Sequence, residues 1–167
     1  MKHFGYFVFI VMLILTTAAC SSTEKAEGSS KNKGQEVNQE QVDFENSVFS
    51  LLDRSDSLLS TFNTALDGLY TEKQTPEQFA KAMKLNIESS RELVSELERL
   101  EVHHSWFEVH QNLIGHFNNK HELYLNAIEM ANNNRLIKDR LRSEFLTLKQ
   151  TQAEIYNTWN QTQVEQQ

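Results

Sequence analysis

The chain of 167 residues contains one cysteine, one proline and five glycines. That cysteine is Cys20, so the rest of the sequence can form no intrachain disulfide, cysteine-based zinc site, thiol nucleophile or CxxCH haem attachment. The scarcity of Pro and Gly argues against a turn-rich β architecture, and the remaining composition, heavy in Leu, Glu, Gln, Asn and Lys, favours helix. Basic residues are also in deficit: 16 Lys and Arg against 23 Asp and Glu give a formal charge of -7. Nonspecific nucleic-acid binding needs the opposite balance, so nucleic acid is set aside as a partner. No Ser-His-Asp, phosphate-loop or nucleotide-binding signature occurs, and the carboxylates scatter along outward helix positions. The expectation is one non-enzymatic domain without a cofactor.

The first twenty residues read as an address. Lys2 supplies a thin positive region, Phe4 to Leu15 form an apolar run, and the small residues Thr16, Thr17, Ala18 and Ala19 precede Cys20. As a helix this run spans about 18 Å, well short of the ~30 Å hydrocarbon core, so it suits a signal peptide better than a permanent span. Thr17-Ala18-Ala19-Cys20 resembles the bacterial lipobox, with Thr17 standing where Leu is commonest. The resemblance implies a signal peptide over residues 1–19, diacylglycerol on the Cys20 sulfur, and an anchor on the outer face of the bacterial cell membrane. Residues 20–41 then form the lipidated cysteine and a disordered polar tether, because almost nothing there can be buried.

Residues 42–167 carry helical periodicity in four segments. In the first, Phe44, Val48, Leu51, Ser55, Leu58, Phe62, Ala65 and Leu69 alternate at steps of four and three. Thr75-Pro76-Glu77-Gln78 is a capping box with proline at the first helical position, and it opens a second helix with Phe79, Met83, Ile87, Ser90, Val94 and Leu97 inside. A third starts near His104, carries Trp106, Leu113, Phe117, Tyr124, Ile128 and Ala131, and breaks at Asn132-Asn133-Asn134. Ile137, Leu141, Phe145, Leu148, Gln152, Ile155 and Trp159 mark the fourth. Similar lengths and short joints predict an all-α, antiparallel up-down-up-down four-helix bundle after the tether.

Candidate chemistry is sparse. His103, His110 and His121 share the inner azimuth of the third helix, but His110 and His121 lie about 16 Å apart along the axis and cannot share an ion. They are expected in hydrogen-bonded or edge positions, His121 facing Glu144, with a metal or carrier role as the alternative. Ser55 and Ser90 interrupt two seams at one height, which predicts either large-against-small packing around Phe117 or a small pocket for an apolar ligand. Leu85, Leu93, Val109 and Leu125 widen the apolar stripes enough for self-association to be considered.

Charge divides the domain. The half nearest the tether holds twelve acids and four bases, whereas the far half holds eight bases and seven acids, with Arg135, Lys138, Arg140 and Arg142 around the start of the fourth helix. Bases there oppose the helix dipole, so they are either paired with nearby acids or present a basic tip to an anionic polymer or partner protein.

In its layout of lipobox, spacer and helical domain the chain resembles small surface lipoproteins of Gram-positive bacteria, some of them described as cell-wall-binding. That resemblance implies a membrane-tethered interaction module for an envelope protein or cell-wall polymer. A helical ligand or metal carrier is the alternative.

Overall fold

The computed structural model describes the backbone of residues 33–165 and the side chains of residues 39–161. The expected signal peptide, Cys20 and the first part of the expected tether lie outside the described residues. The described chain is all-helical: α1 spans Lys33–Tyr70, α2 Pro76–Glu98, α3 Phe107–Asn132 and α4 Lys138–Glu165, with a 3-10 turn at His104–Trp106 before α3. No described helix is long and apolar enough to cross a membrane.

At 38 residues α1 is the longest helix, and it begins inside the stretch expected to be tether. Having nothing to bury does not prevent a helix nucleated by packed turns from propagating outward through Gln and Glu. Side-chain bonds four residues apart support this end, Gln39 Nε2 donating to Asp43 at 2.9 Å and Gln41 Nε2 to Glu45 at 3.1 Å.

The α1–α2 joint follows its sequence signals. Thr75 Oγ1 accepts from the Gln78 amide at 3.3 Å while Gln78 Oε1 accepts from the Thr75 amide at 2.9 Å, completing the capping box, and Pro76 takes the first helical position. The carbonyl of Gly68 accepts from the amides of Lys73 and Gln74 at 2.9 and 3.1 Å. A β-carbon on Gly68 would sit 2.9 Å from Gln74 Cγ, so glycine permits this close return of the chain. At the α3–α4 joint Asn134 adopts φ 51°, a conformation asparagine tolerates better than most residues.

The seams anticipated from periodicity are largely inside. Phe44, Val48, Leu51, Phe62, Phe79, Met83, Trp106, Leu113, Tyr124, Leu141 and Trp159 are all buried. Ile137 is not: it precedes the first residue of α4 and is 55 % exposed. The widened stripe splits, with Leu93 and Val109 joining the core while Leu85 and Leu125 remain exposed at 75 % and 39 %.

Buried apolar residues form two clusters. One contains Leu59, Phe62, Leu66, Phe79, Met83, Tyr124 and Leu141. The other contains Phe44, Val48, Leu52, Leu97, Trp106, Leu113 and Trp159, and Leu58 packs against both. Contacts between helices keep a consistent order. Along α1 from Tyr70 back to Phe49, partners on α4 run forward: Tyr70 with Asp139, Asp67 with Arg142, Phe62 with Phe145, Asp56 with Gln152, and Phe49 with Trp159. The same reversal holds between α1 and α2, where Arg54 meets Glu96, Leu58 meets Asn86 and Phe62 meets Phe79.

Candidate functional site

Between the two apolar clusters lies a layer of buried polar residues drawn from all four helices: Ser55 of α1, Ser90 of α2, His116 and Lys120 of α3, and Gln152 of α4. Helical spacing aligns the α3 members, since His116, Lys120 and Tyr124 follow one another at intervals of four and share a face. Lys120 is 2 % exposed. A buried ammonium is tolerable only if oxygens replace its water, and three do. Lys120 Nζ donates to Ser55 Oγ at 2.9 Å, to Asp56 Oδ1 at 3.2 Å and to Gln152 Oε1 at 3.4 Å.

The network closes on itself. Gln152 Nε2 donates to Asp56 Oδ2 at 2.8 Å, so one carboxylate and one amide tie α1 to α4 while the ammonium ties both to α3. Asp56 reaches solvent on its other side, where Lys149 Nζ stands 3.8 Å from Oδ2. Burial pushes Asp56 upward, but the bonds from Gln152 and Lys120 outweigh it and hold the carboxyl below its ordinary range. Burial pushes the Lys120 ammonium down to about 8 against the pull of Asp56. Lys120 Nζ also lies over the Phe117 ring, 5.6 Å from its centroid.

Two neighbours of Lys120 on α3 lack partners. His116 is 1 % exposed and neither ring nitrogen makes a hydrogen bond. Burial, reinforced by the charge of Lys120, pushes it down to about 4, so at neutral pH the ring is uncharged. The Tyr124 hydroxyl is likewise buried without a partner, and burial raises its pKa.

This layer corrects two expectations, the filling of the space at Ser55 and the partner of His121, while His110 and His121 are hydrogen-bonded as expected. The space left by Ser55 is filled by Lys120, not by a ligand pocket, and the filling group is polar. Ser90 bonds His121 Nδ1 at 2.7 Å, whereas Glu144, the partner expected for His121, pairs within α4 with Arg140 at 2.8 Å. His110 is buried, and its Nε2 donates to the Leu97 carbonyl at 2.8 Å, leaving Nδ1 unpartnered, while its ring meets that of Phe44 edge to face at 6.0 Å between centroids. His103 caps the 3-10 turn, its side chain accepting from the Ser105 amide. Among the described residues no group of three or more His, Cys, Asp or Glu is placed to hold a metal ion.

Three of the four tip bases bond within the domain. Lys138 Nζ donates to the Leu69 carbonyl at 3.2 Å and lies 5.1 Å from the Tyr70 ring centroid. Arg140 pairs with Glu144, and Arg142 bridges to Asp67 and Asn63 while its guanidinium faces the Tyr70 and Phe145 rings. Arg135 is exposed and its side chain has no partner among the described residues.

Two surface grooves lie at the other end. A groove of about 550 Å³ runs between the start of α1 and the α2–α3 joint, lined by residues that include Glu40, Asp43, Phe44, Leu100, Glu101 and Trp106. Ser47 and Leu100 are shared with a second groove of about 540 Å³ between α1 and α2, whose lining includes Arg54 and Glu96. That pair forms a two-pronged bridge at 2.5 and 2.9 Å. Comparisons with protein families, curated proteins and solved structures gave no match.

Proposed function

We propose that the chain is a lipoprotein held on the outer face of the bacterial cell membrane by lipid on Cys20. Its helical domain, an antiparallel up-down-up-down four-helix bundle, serves as a non-enzymatic interaction module for an envelope protein or an anionic cell-envelope polymer. The bundle topology is supported by the reversed contact order of α1 with both α4 and α2. The anchor is supported by the lipobox-like Thr17-Ala18-Ala19-Cys20.

The observation that carries the interaction reading is where the chemistry sits. Lys120, His116, His110 and Gln152 are enclosed in the core, while the two confluent grooves at Ser47 and Leu100 are open surface that a partner can reach. A two-part experiment tests this. Cys20→Ala should move the chain from the membrane fraction to the medium. A photo-crosslinking residue at Ser47 should capture a partner in living cells if the grooves are used, and one at Arg140 should do so if the tip is used. Silence from both positions would refute the interaction reading, and membrane retention of Cys20→Ala would refute the anchor.

A further inference from the structure

The first groove has a size and a sign. From Glu40 to Ser47 it follows α1 for about 10 Å at ~1.5 Å per residue, the length of roughly three residues of extended chain. The floor of the first groove is apolar, with Phe44 and Trp106 buried beneath it and Leu100 half-buried at its side. Its rim carries three exposed carboxylates, Glu40, Asp43 and Glu101, and the basic side chains in its lining are the imidazoles of His103 and His104, with no Lys or Arg. Glu40 and Glu101 form no ion pair with any described residue, and Asp43 accepts only neutral donors, Gln39 and Ser47, the latter through its backbone carbonyl. Stability of the domain therefore does not account for three carboxylates around one aromatic floor.

Resting on the reading of this domain as an interaction module, we propose that the first groove binds an extended, basic segment of a partner protein, an apolar side chain entering over Phe44 and Trp106 and flanking Lys or Arg residues meeting Glu40, Asp43 and Glu101. Charge selects this occupant over the others. A second copy brings a net charge of -7, and anionic lipid or wall polymer brings more of the same sign. A basic peptide brings the complement, and an apolar residue between its charges gains what the aromatic floor offers.

The test uses the full-length chain purified in detergent and a dye-labelled synthetic peptide in which Lys alternates with Leu, followed by fluorescence anisotropy. A peptide in which Glu alternates with Leu is the control. Saturable one-to-one binding of the Lys peptide alone is expected. The triple variant Glu40→Gln, Asp43→Asn, Glu101→Gln should weaken it roughly tenfold or more, since each exposed pair contributes modestly and the three act together. The charge-matched triple Glu72→Gln, Glu122→Gln, Glu129→Gln should change it by less than about twofold. Both triples alter exposed side chains, so both should keep the parent helical circular dichroism.

Equal weakening by the two triples would mean general charge attraction and would overturn the proposal, as would binding of the Glu peptide or no binding at all. Tighter binding after Lys25, Lys31 and Lys33 are changed to Gln would make the chain's own basic residues the occupant and would also overturn it. A crosslink from Ser47 to a partner lacking a basic segment would leave the interaction module standing and refute only the occupant.

Discussion

Lys120 Nζ on α3 donates to Ser55 Oγ on α1 at 2.9 Å, and both residues are essentially out of water. The charge of Lys120 fixes the consequence of losing the partners that share it, Asp56 above all. Asp56→Ala leaves a buried ammonium without its counter-charge and should cost about 2 kcal/mol or more. Lys120→Met replaces the ammonium with an apolar group of similar length and leaves Asp56 half in water and still bonded to Gln152, so it should cost clearly less than Asp56→Ala, the loss coming from the Ser55 and Gln152 oxygens that it leaves without a donor. Urea denaturation measures both, and equal losses would contradict the asymmetry.

His116 makes the core sensitive to acid. Its folded value of about 4 lies below the ordinary 6.5, so between these two values the unfolded chain binds more protons than the folded one. Stability from this group is therefore complete above about 6.5 and declines as pH falls toward 4, by up to ~3 kcal/mol. The charged and polar groups acting on the ring are Lys120 on its own helix, Asp56 on α1, and Gln152 and Lys149 on α4. Urea midpoints compared at pH 7 and pH 4.5 should differ more for the parent than for His116→Gln. A parallel pair of pH profiles would contradict the assignment.

At the tip, bases of equal charge should behave differently. Arg142 joins Asp67 and Asn63 and faces two aromatic rings, so Arg142→Ala should destabilise by about 1 kcal/mol. Arg135→Ala removes no described contact and should stay within about 0.5 kcal/mol. Any loss of wall retention in a variant lacking all four tip bases must be compared with these stabilities, and Arg135→Ala gives the cleanest reading of direct binding.

Thr75→Ala removes the acceptor of the Gln78 amide and half of the capping box. A loss of about 1 kcal/mol is expected, visible as a lower thermal midpoint, and Thr75→Ser should restore most of it.

Much of this was legible in the sequence because apolar spacing and capping chemistry are local. Phe44 to Leu69 fall on the face their steps of four and three require, and Thr75-Pro76 starts α2 where the motif places it. Lys120 was not legible, because a lysine in a helix is ordinarily solvated and its burial depends on three oxygens brought from two other helices. The clue was present in aggregate: Ser55, Ser90 and Gln152 each stand where an apolar residue continues the seam, a polar notch in three helices at one height. His116 is hidden for the same reason, and His121 lies on the inner azimuth although its bond with Ser90 leaves it at the edge. The start of α1 at Lys33 is not legible from burial, because a helix propagates through Gln and Glu that have nothing to bury.

The α1–α4 contacts described above also set an order of events. What holds α4 to α1 mixes ring contacts, Phe62–Phe145 and Phe49–Trp159, with exposed polar bonds at Tyr70–Asp139 and Asp67–Arg142 that water can replace at little cost. The α2–α3 side of the domain instead joins Val94, Leu97, Val109 and Leu113 in one apolar cluster, where separation exposes hydrocarbon. Native-state amide exchange should therefore release α4 before α2 and α3, and refolding should add it last. The polar layer then acts as a clasp: α1, α2 and α3 can collapse as soon as they meet, but Lys120 gains its full set of oxygens only when Gln152 arrives with α4.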